Sequence, residues 1–336
     1  MKKYFPFLIL FAASVIAAPA ATLKLSDGEA AVAEVAESTT PTEAEVKAVE
    51  KSDFYKVLDV STGEVYEVSA EDYIIGAVCA EMPATFEPEA LKAQAVAAHT
   101  YAERQRLREK NAPTPELYGA DFSNDTSKYQ GYFTINQAKQ YFGENFDLNY
   151  NKIKSACDEV KDYIITYDNE PIISAFHSMS TGKTESAENV WGTAVDYLVS
   201  VDSSFDVSAP KYLDEVKYDK EVLKAKLEAA FSDISMGEDL TKWITVEQKS
   251  DSGTVLSANV GGKTVTGNDL RTALALRSAC FDVRYEGDSV IFTTKGYGHC
   301  VGMSQYGANS MASAGSTWKE ILEHYYPNCK IEKRAD

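Results

Sequence analysis

Apolar and polar positions between residues 54 and 110 predict a β-hairpin followed by two helices. Apolar runs on either side of a Ser-Thr-Gly-Glu turn in residues 55–68 are typical of a hairpin. A helical pattern then runs from 71 to about 82, where Pro83 biases the preceding residue away from the α region. A second, alanine-rich helical pattern covers about 88–110, with a proline well placed in its first turn. One carboxylate, that of Glu81, lies at the joint.

The rest of the chain mixes helical and strand-like patterns without strict βαβ alternation. Helices are predicted at 135–142, 148–160, 220–231, 268–276, 303–314 and 317–325, and strands at 163–167, 172–179, 197–201, 254–260, 263–266, 282–285 and 289–294. This mixture predicts an α+β fold of mixed sheets and hairpins. The alanine-rich helix is predicted at its centre, because small residues on most faces let neighbouring elements pack closely.

The N-terminal segment predicts export. In residues 1–23, two lysines precede an uncharged apolar run with small residues, which is typical of a signal peptide. The run is close to the length that spans a bilayer, so a cleaved signal and a retained membrane anchor both stay open. Residues 24–53 are small and acidic and lack aromatic side chains, which predicts a disordered linker. We therefore expect one folded domain over residues 54–332, held outside the cytoplasm.

Charge and cysteine content narrow the function classes. The 336 residues include 51 acids and 33 bases, a net charge of −18, which argues against a general nucleic-acid-binding protein. Five cysteines are scattered without paired spacing, so the sequence demands no disulfide and leaves their pairing open.

Glu81 is the first candidate for chemistry. A carboxylate between an apolar helix and a helix of small residues is expected to be partly desolvated, which suits a general acid near neutral pH. The alternative is a surface glutamate at a frayed helix end. On the second helix, Lys92, His99 and Glu103 share one face, which is either a solvated stripe or a surface for polar substrate groups.

Other reaction classes fit the sequence less well. No HExxH motif occurs, and the glycines at 296, 298 and 302 do not have the spacing of a dinucleotide loop. A serine nucleophile at Ser178 or Ser180 beside His177 stays open, although adjacent strand residues point to opposite faces. The glycine-rich runs near 296–307 also hold His, Gln and Tyr, which suits a sugar, because rings stack on pyranose faces and amides bond hydroxyls.

Three blocks carry a resemblance to a known family. In chain order between residues 71 and 329 they read EDYIIGAVCAEMPATFEPEALKAQAVAAHTYA, AFHSMSTGKTESAENVWG and GYGHCVGMSQYGANSMASAGSTWKEILEHYYPNC. Together they resemble the SpoIID/LytB family. The resemblance implies a peptidoglycan lytic transglycosylase that acts on glycan strands stripped of stem peptides, in septal wall remodelling and engulfment during sporulation. It implies a location facing the wall between mother cell and forespore.

The resemblance also implies the roles of individual residues. Glu81, in the AEMP segment, would be the single catalytic acid and base that cleaves the bond between N-acetylmuramic acid and N-acetylglucosamine and leaves a 1,6-anhydro end. The residues implied to bind substrate are Lys92, Gln94, His99, His177, Ser178, Ser180, Gly182, Thr184, His299, Ser304 and Gln305. No cofactor is implied. The implied partners are glycan strands, a cell-wall amidase and other engulfment proteins, and the membrane through the N-terminal segment.

Two departures from the family pattern bear on these expectations. His99 stands where the family usually has arginine, so an imidazole replaces a permanently charged guanidinium. The loop around Tyr129-Gln130 has no Cys or His, although some relatives hold zinc there, so we predict no structural metal. The histidine keeps an alternative open, namely a non-catalytic glycan-binding protein that localises or stimulates a cell-wall amidase.

Overall fold

The computed structural model describes residues 54–334. The predicted signal or anchor at 1–23 and the predicted linker at 24–53 therefore lie outside the described residues. Among the helices at 54–334, none is both long enough and apolar enough to cross a bilayer.

The described residues form helices and short strands in mixed order. The helices are α1 (Ala70–Glu81), α2 (Pro88–Asn111), α3 (Ile135–Phe142), α4 (Phe146–Val160), α5 (Ala187–Trp191), α6 (Lys220–Ala230), α7 (Gly267–Ala273), α8 (Gln305–Ser313) and α9 (Trp318–Tyr325). The strands are β1 (Phe54–Leu58), β2 (Val65–Ser69), β3 (Phe122–Ser123), β4 (Tyr163–Tyr167), β5 (Glu170–Pro171), β6 (Phe176–His177), β7 (Leu213–Asp219), β8 (Ile244–Lys249), β9 (Val255–Val260), β10 (Lys263–Val265), β11 (Phe281–Glu286), β12 (Ser289–Lys295), β13 (Met303–Ser304) and β14 (Lys330–Lys333).

The strands form small sheets, which confirms the predicted α+β class. Their orders are β2-β1-β3, β10-β9-β8, β11-β12-β7, β13-β6 and β14-β4-β5. The predicted hairpin at the start of the domain pairs β1 with β2 in antiparallel register, with Tyr55 opposite Val68. The parallel pair of β6 and β13 joins the second and third sequence blocks, with His177 opposite Ser304.

The alanine-rich helix α2 lies inside the molecule. Its alanines from Ala90 to Ala102 are at most 1% exposed. Their short side chains let α1, α4, α8, α9 and β4 all contact this one helix. The helix begins at Pro88, whose missing N–H is one that a first helical turn leaves unpaired in any case.

Two large hydrophobic cores divide the described residues. The first surrounds α2 and includes side chains from α1, α4, α8 and α9. The second lies within residues 216–292 and is built around Leu223, Leu227, Phe281 and Phe292. The sequence predicted α6, α7 and β9 to β12 of the second core but did not separate this core from the first.

Two predicted strands differ from the structure. Residues 197–201 form no strand, because Thr184 uses its backbone N–H to reach the Val201 carbonyl while its hydroxyl accepts the Val201 N–H at 2.9 Å. The predicted strand at 172–179 shortens to Phe176–His177. The structure also has strands where none was predicted, among them β7, β8 and β14. These three strands contain one fully buried residue, Ile244, so they lack the apolar run of a buried strand.

Candidate active site

Glu81 lies at a cleft, as the last residue of α1. The residue is 9% exposed and borders a cavity of about 540 Å³. Burial raises its pKa to about 7, although a hydrogen bond from the backbone N–H of Gly131 acts in the opposite direction. A carboxyl with a pKa near neutrality exchanges a proton readily at pH 7, which is the property a general acid needs.

The N–H of Gly131 is placed by the residue before it. The Gln130 backbone N–H donates to the Tyr101 hydroxyl on α2 at 3.2 Å. The Tyr73 hydroxyl on α1 donates to the Gln130 side-chain oxygen at 3.5 Å. The loop that carries Gly131 is thereby fixed to both helices that flank Glu81.

A second set of contacts holds the backbone of Glu81. The amide of Gln305 donates to the Glu81 carbonyl at 2.8 Å and lies 3.4 Å from the side-chain oxygen of Gln94. The last carbonyls of a helix have no partner within it, so Gln305 satisfies one of them. Gln94 and Gln305 were predicted to bind substrate. The structure places both of them buried behind the acid, where they fix the end of α1.

The cleft is lined mainly by polar and aromatic residues that the sequence did not single out. They are Asp59, Tyr66, Asn124, Thr126, Tyr132, Phe133, Thr134, Gln137 and Tyr141, together with the turn around Glu81. Asp59 and Glu81 are the charged groups of this lining. Hydrogen bonds from Ser61 and Asn124 lower the pKa of Asp59, which keeps it ionised. Aromatic rings beside hydroxyl and amide groups suit a polar ligand with flat apolar faces.

The serines of the second and third blocks meet on a buried carboxylate. Asp206 accepts from both the backbone N–H and the hydroxyl of Ser180, at 2.7 and 2.6 Å. It also accepts from Ser203 at 2.9 Å and from Ser304 at 2.8 Å. Ser178 contributes its backbone carbonyl, which accepts from the Tyr306 N–H at 3.0 Å. Asp206 was not predicted, since its partners at 180 and 304 are far away in the sequence.

Those contacts bear on the serine nucleophile that the sequence left open. The Ser180 hydroxyl donates to Asp206, and the Nδ1 of His177 bonds the Val301 carbonyl at 3.1 Å. In the part of the chain that the structure describes, no hydrogen bond links His177 to Ser178 or Ser180. The serine–histidine arrangement of a hydrolase is therefore missing there.

Three other predicted residues also serve the fold. Gly182 has a positive φ of 103° and donates its N–H to the Ser180 hydroxyl at 3.1 Å. Thr184 is fully buried and bonds Val201 as described above. The ammonium of Lys92 lies 2.8 Å from Glu89 and 2.5 Å from Glu159, which fixes it on α2.

His177 and His299 come together from different blocks, with ring centroids 5.8 Å apart. Burial lowers the pKa of His177 to about 4 and that of His299 well below its ordinary value, so both rings are neutral at pH 7. The glycine-rich run can lie this close because Gly298 lacks a side chain. A Cβ at Gly298 would meet the Cβ of His177 at 2.8 Å.

His99 lies in a buried ionic network on the far part of α2. Its Nδ1 bonds the Tyr163 carbonyl at 3.0 Å, and its Nε2 is 3.5 Å from Glu103 and 3.4 Å from Arg334. Glu103 also bonds Arg334 at 2.6 Å and Arg106 at 2.5 Å. Burial would raise the pKa of Glu103, but the hydrogen bond from His99 and the charges around it bring the pKa down to about 2.

Comparison with known proteins places these features in a family. Residues 59–167 match the family model described as Stage II sporulation protein (SpoIID). The chain is 39% identical to stage II sporulation protein D of Bacillus amyloliquefaciens, over 82% of this chain and 78% of the relative. It is 38% identical to the protein of the same name from Bacillus subtilis (strain 168), over 80% and 76%. The chain belongs to the stage II sporulation protein D family.

A more distant relative of this chain has a different name. The chain is 26% identical to the amidase enhancer of Bacillus subtilis (strain 168), over 76% of this chain and 40% of that relative. The SpoIID family model, at 59–167, contains Glu81, Gly131 and the whole of α2. The histidine pair and the Asp206 cluster lie downstream of that match.

The structure also describes the cysteines and the side chains that could bind a metal. All five cysteines lie within the described residues and are free thiols. Across residues 54–334, no three His, Cys, Asp or Glu side chains converge on a point that could hold a metal ion. The absence of a structural metal stays a prediction.

Proposed function

We propose that this SpoIID chain is a lytic transglycosylase that cleaves the bond between N-acetylmuramic acid and N-acetylglucosamine in denuded peptidoglycan strands. One observation carries the proposal. Glu81 is a buried carboxyl with a pKa of about 7, and it borders a cleft of about 540 Å³. Membership of the sporulation family supports the substrate class and the setting.

The proposed mechanism uses one carboxyl twice. Protonated Glu81 gives its proton to the oxygen that links the two sugars, and the bond from that oxygen to C1 of the muramic residue breaks. The resulting carboxylate takes the proton of the muramic C6 hydroxyl as its oxygen attacks C1. A 1,6-anhydro ring closes and Glu81 is protonated again. Glycoside hydrolases normally need a second carboxyl for a nucleophile or a water, and the internal attack replaces it.

The surroundings of Glu81 suit both halves of this cycle. Burial favours the protonated acid of the first half, while the Gly131 N–H stabilises the carboxylate that follows. Gln305 keeps the end of α1 in place while the charge changes. Asp59 stays ionised in the lining of the same cleft, where its negative charge would attract the positive charge that develops on the sugar ring.

The biological setting is part of the proposal. The protein would be exported, held by its N-terminal segment as anchor or released from it, and would face the wall between mother cell and forespore during engulfment. A cell-wall amidase would act before it, because the amidase removes the stem peptides and leaves denuded strands. The distant relative named amidase enhancer supports this link.

The direct test compares Glu81→Gln with the wild type on denuded strands, with mass spectrometry to count 1,6-anhydro ends. We expect the substitution to lower the rate by about 100-fold or more, since general acid catalysis contributes that much. Glu87→Gln is the matched control, because Glu87 is an exposed glutamate on the other side of the same turn. Equal rates for wild type and Glu81→Gln would refute the proposed role.

The pH dependence follows from the same pKa. Only the protonated acid begins the reaction, so the wild-type rate is expected to fall about tenfold per pH unit above about 7. A rate that stays flat from pH 6 to 9 would contradict the assignment of Glu81 as the proton donor.

The second candidate is a non-catalytic glycan-binding protein that stimulates an amidase, and the name of the distant relative favours it. It predicts binding to denuded strands without new ends. Stimulation of a purified wall amidase would then be the same for wild type and Glu81→Gln. Loss of stimulation in the variant would favour the enzyme.

A further inference from the structure

His177 has an unused nitrogen in a buried position. The side chain is 1% exposed, and its Nε2 has no hydrogen-bond partner among the described residues. Its Nδ1 bonds a carbonyl oxygen, that of Val301, at 3.1 Å. A carbonyl only accepts, so Nδ1 carries the proton, and the free Nε2 of the neutral ring is an acceptor. A hydroxyl or amide N–H of a ligand is the partner that this nitrogen lacks.

The ring beside it is already satisfied. His299 accepts the Val301 N–H on Nδ1 at 3.1 Å and also bonds the Phe176 backbone. Its ring lies 5.6 Å from that of Trp191. Trp191 and His299 are both half-buried, so part of each residue stays accessible to a ligand. An accessible aromatic ring can stack on the apolar face of a sugar ring.

Arg271, on α7 of the second core, lies near His177 and His299. We refer to Arg271, the two histidines and Trp191 as the junction. Asn268 on α7 donates to the carbonyl of Val190 at 3.3 Å, which fixes α7 against the residue before Trp191. Arg271 lies one helical turn further, on the same face of α7. Its Nε bonds the Leu276 carbonyl at 3.4 Å, and no acidic side chain at 54–334 pairs with its guanidinium. Its positive charge also helps to lower the pKa of both histidines.

Among residues 54–334, Asp206 is the carboxylate that acts on His177, and its oxygens are occupied elsewhere. Asp206 takes its hydrogen bonds from Ser180, Ser203 and Ser304. The junction therefore offers the guanidinium of Arg271 without an anion, the acceptor Nε2 of His177 without a donor, and the aromatic ring of Trp191. A sugar that carries both a hydroxyl and a carboxylate supplies all three complements.

We propose that Arg271, His177 and Trp191 form a subsite for the muramic acid residue of a denuded strand. Arg271 pairs with the free lactyl carboxylate, a hydroxyl of the same sugar donates a hydrogen bond to Nε2 of His177, and Trp191 stacks on the sugar ring. This rests on the proposed function, because it takes glycan as the substrate. It gives that function a physical basis for selecting denuded strands. A stem peptide converts the lactyl carboxylate to an amide, which is neutral and no longer matches the guanidinium.

The test measures binding rather than cleavage, so that it does not depend on catalysis. Full-length protein carrying Glu81→Gln is titrated calorimetrically with a muramic-acid-containing tetrasaccharide that has free lactyl carboxylates. Its lactyl methylamide and the same tetrasaccharide with stem peptides are the comparison ligands. In the protein that carries Glu81→Gln alone, we expect the ligand with the free carboxylate to bind about 10- to 100-fold more tightly than the methylamide. With Arg271→Gln, the two should bind alike.

Controls separate recognition from a structural effect. Arg284→Gln removes an exposed arginine from the same core and should leave the preference unchanged. Arg271→Lys should keep part of it, since the charge remains. His177→Phe should weaken the carboxylate and the methylamide ligands by the same factor. Loosening of the junction alone would weaken both ligands equally in Arg271→Gln, and that result would overturn the subsite.

The outcomes also distinguish this subsite from the proposed function. If strands are cleaved by wild type but Arg271→Gln keeps the full preference for the free carboxylate, the subsite is wrong and the enzyme stands. If the preference depends on Arg271 while wild type produces no 1,6-anhydro ends, the subsite stands and the enzyme is wrong. Absence of binding to any of the three ligands would refute the subsite.

Discussion

Glu81 and Glu103 are two buried glutamates of neighbouring helices, and their pKa values are shifted in opposite directions. Glu81 has one backbone N–H on its carboxyl and a pKa raised to about 7. Glu103 is surrounded by Arg334, Arg106, Tyr55 and His99, and its pKa is lowered to about 2. Burial acts on both in the same direction, so the difference comes from their partners.

The comparison separates the acid that we propose as catalytic from a structural one. An ionised carboxylate that is balanced by two guanidinium groups holds elements together and exchanges no proton near neutral pH. A carboxyl with few partners and an open cleft can do so, at some loss of stability. Burial of a glutamate therefore does not by itself identify a catalytic acid.

The largest expected effect is the loss of stability on substitution of Glu103. Glu103→Gln leaves the Arg334 and Arg106 charges without a buried counterion, and we expect the free energy of unfolding at pH 7 to fall by about 3 to 5 kcal/mol. Chemical denaturation measures it. The exposed Glu116→Gln is the control and should change little. A loss of less than about 1 kcal/mol would mean that the network does not stabilise the fold.

The pH dependence of the free energy of unfolding tests the same role of Glu103. The pKa of Glu103 is lower in the folded state than the ordinary value of 4.5, so its stabilisation is present above pH 4.5 and is lost as the pH falls toward 2. Glu103→Gln should remove that part of the acid-induced loss.

Glu81→Gln is expected to have the opposite effect on stability. The pKa of Glu81 is raised in the folded state, so the unfolded chain releases the proton from pH 4.5 upward while the folded chain retains it to about 7. Wild-type stability therefore declines over that window by on the order of 3 kcal/mol. The glutamine variant should lack this decline and be more stable than wild type at pH 8, although inactive. Parallel stability curves from pH 4 to 8 would contradict the raised pKa.

The smallest expected effect concerns His99. The family resemblance makes arginine usual there, but Arg334 already brings its guanidinium within 3.4 Å of the His99 ring. His99→Arg should therefore destabilise the protein by about 1 to 3 kcal/mol through like-charge repulsion. Adding Arg334→Gln should recover most of the loss, and a double-mutant cycle measures the coupling. Additive effects on stability would show that the side chains at positions 99 and 334 do not interact.

Local features of the fold were predictable where a local rule applies. Pro83 ended α1 at the predicted place, and the alanines of α2 identified the central helix. The strand predicted at 197–201 does not form, because the Thr184 side chain takes the place of a strand partner. No local sequence pattern indicates that contact. The two hydrophobic cores could not be told apart, because both use the same kinds of residue.

The candidate site followed the same division. The position of Glu81 in a helix-to-helix turn and its resemblance to the family motif were readable from the chain. Its raised pKa depends on Gly131, a backbone donor with no side-chain signature. Arg334 and Asp206 were missed because their partners lie up to 231 residues away. The family resemblance implied that Gln94 and Gln305 bind substrate, and the structure places both side chains beneath the acid.

The sequence by itself determined the α+β class, the two helices that bracket Glu81 and the family to which the chain belongs. These depend on local periodicity, proline geometry and linear motifs. Only the tertiary structure decided which buried glutamate is free to exchange a proton and which is locked in an ionic network. The physical reason is that a pKa depends on charges and donors within a few ångströms in space, and distant parts of the chain supply them.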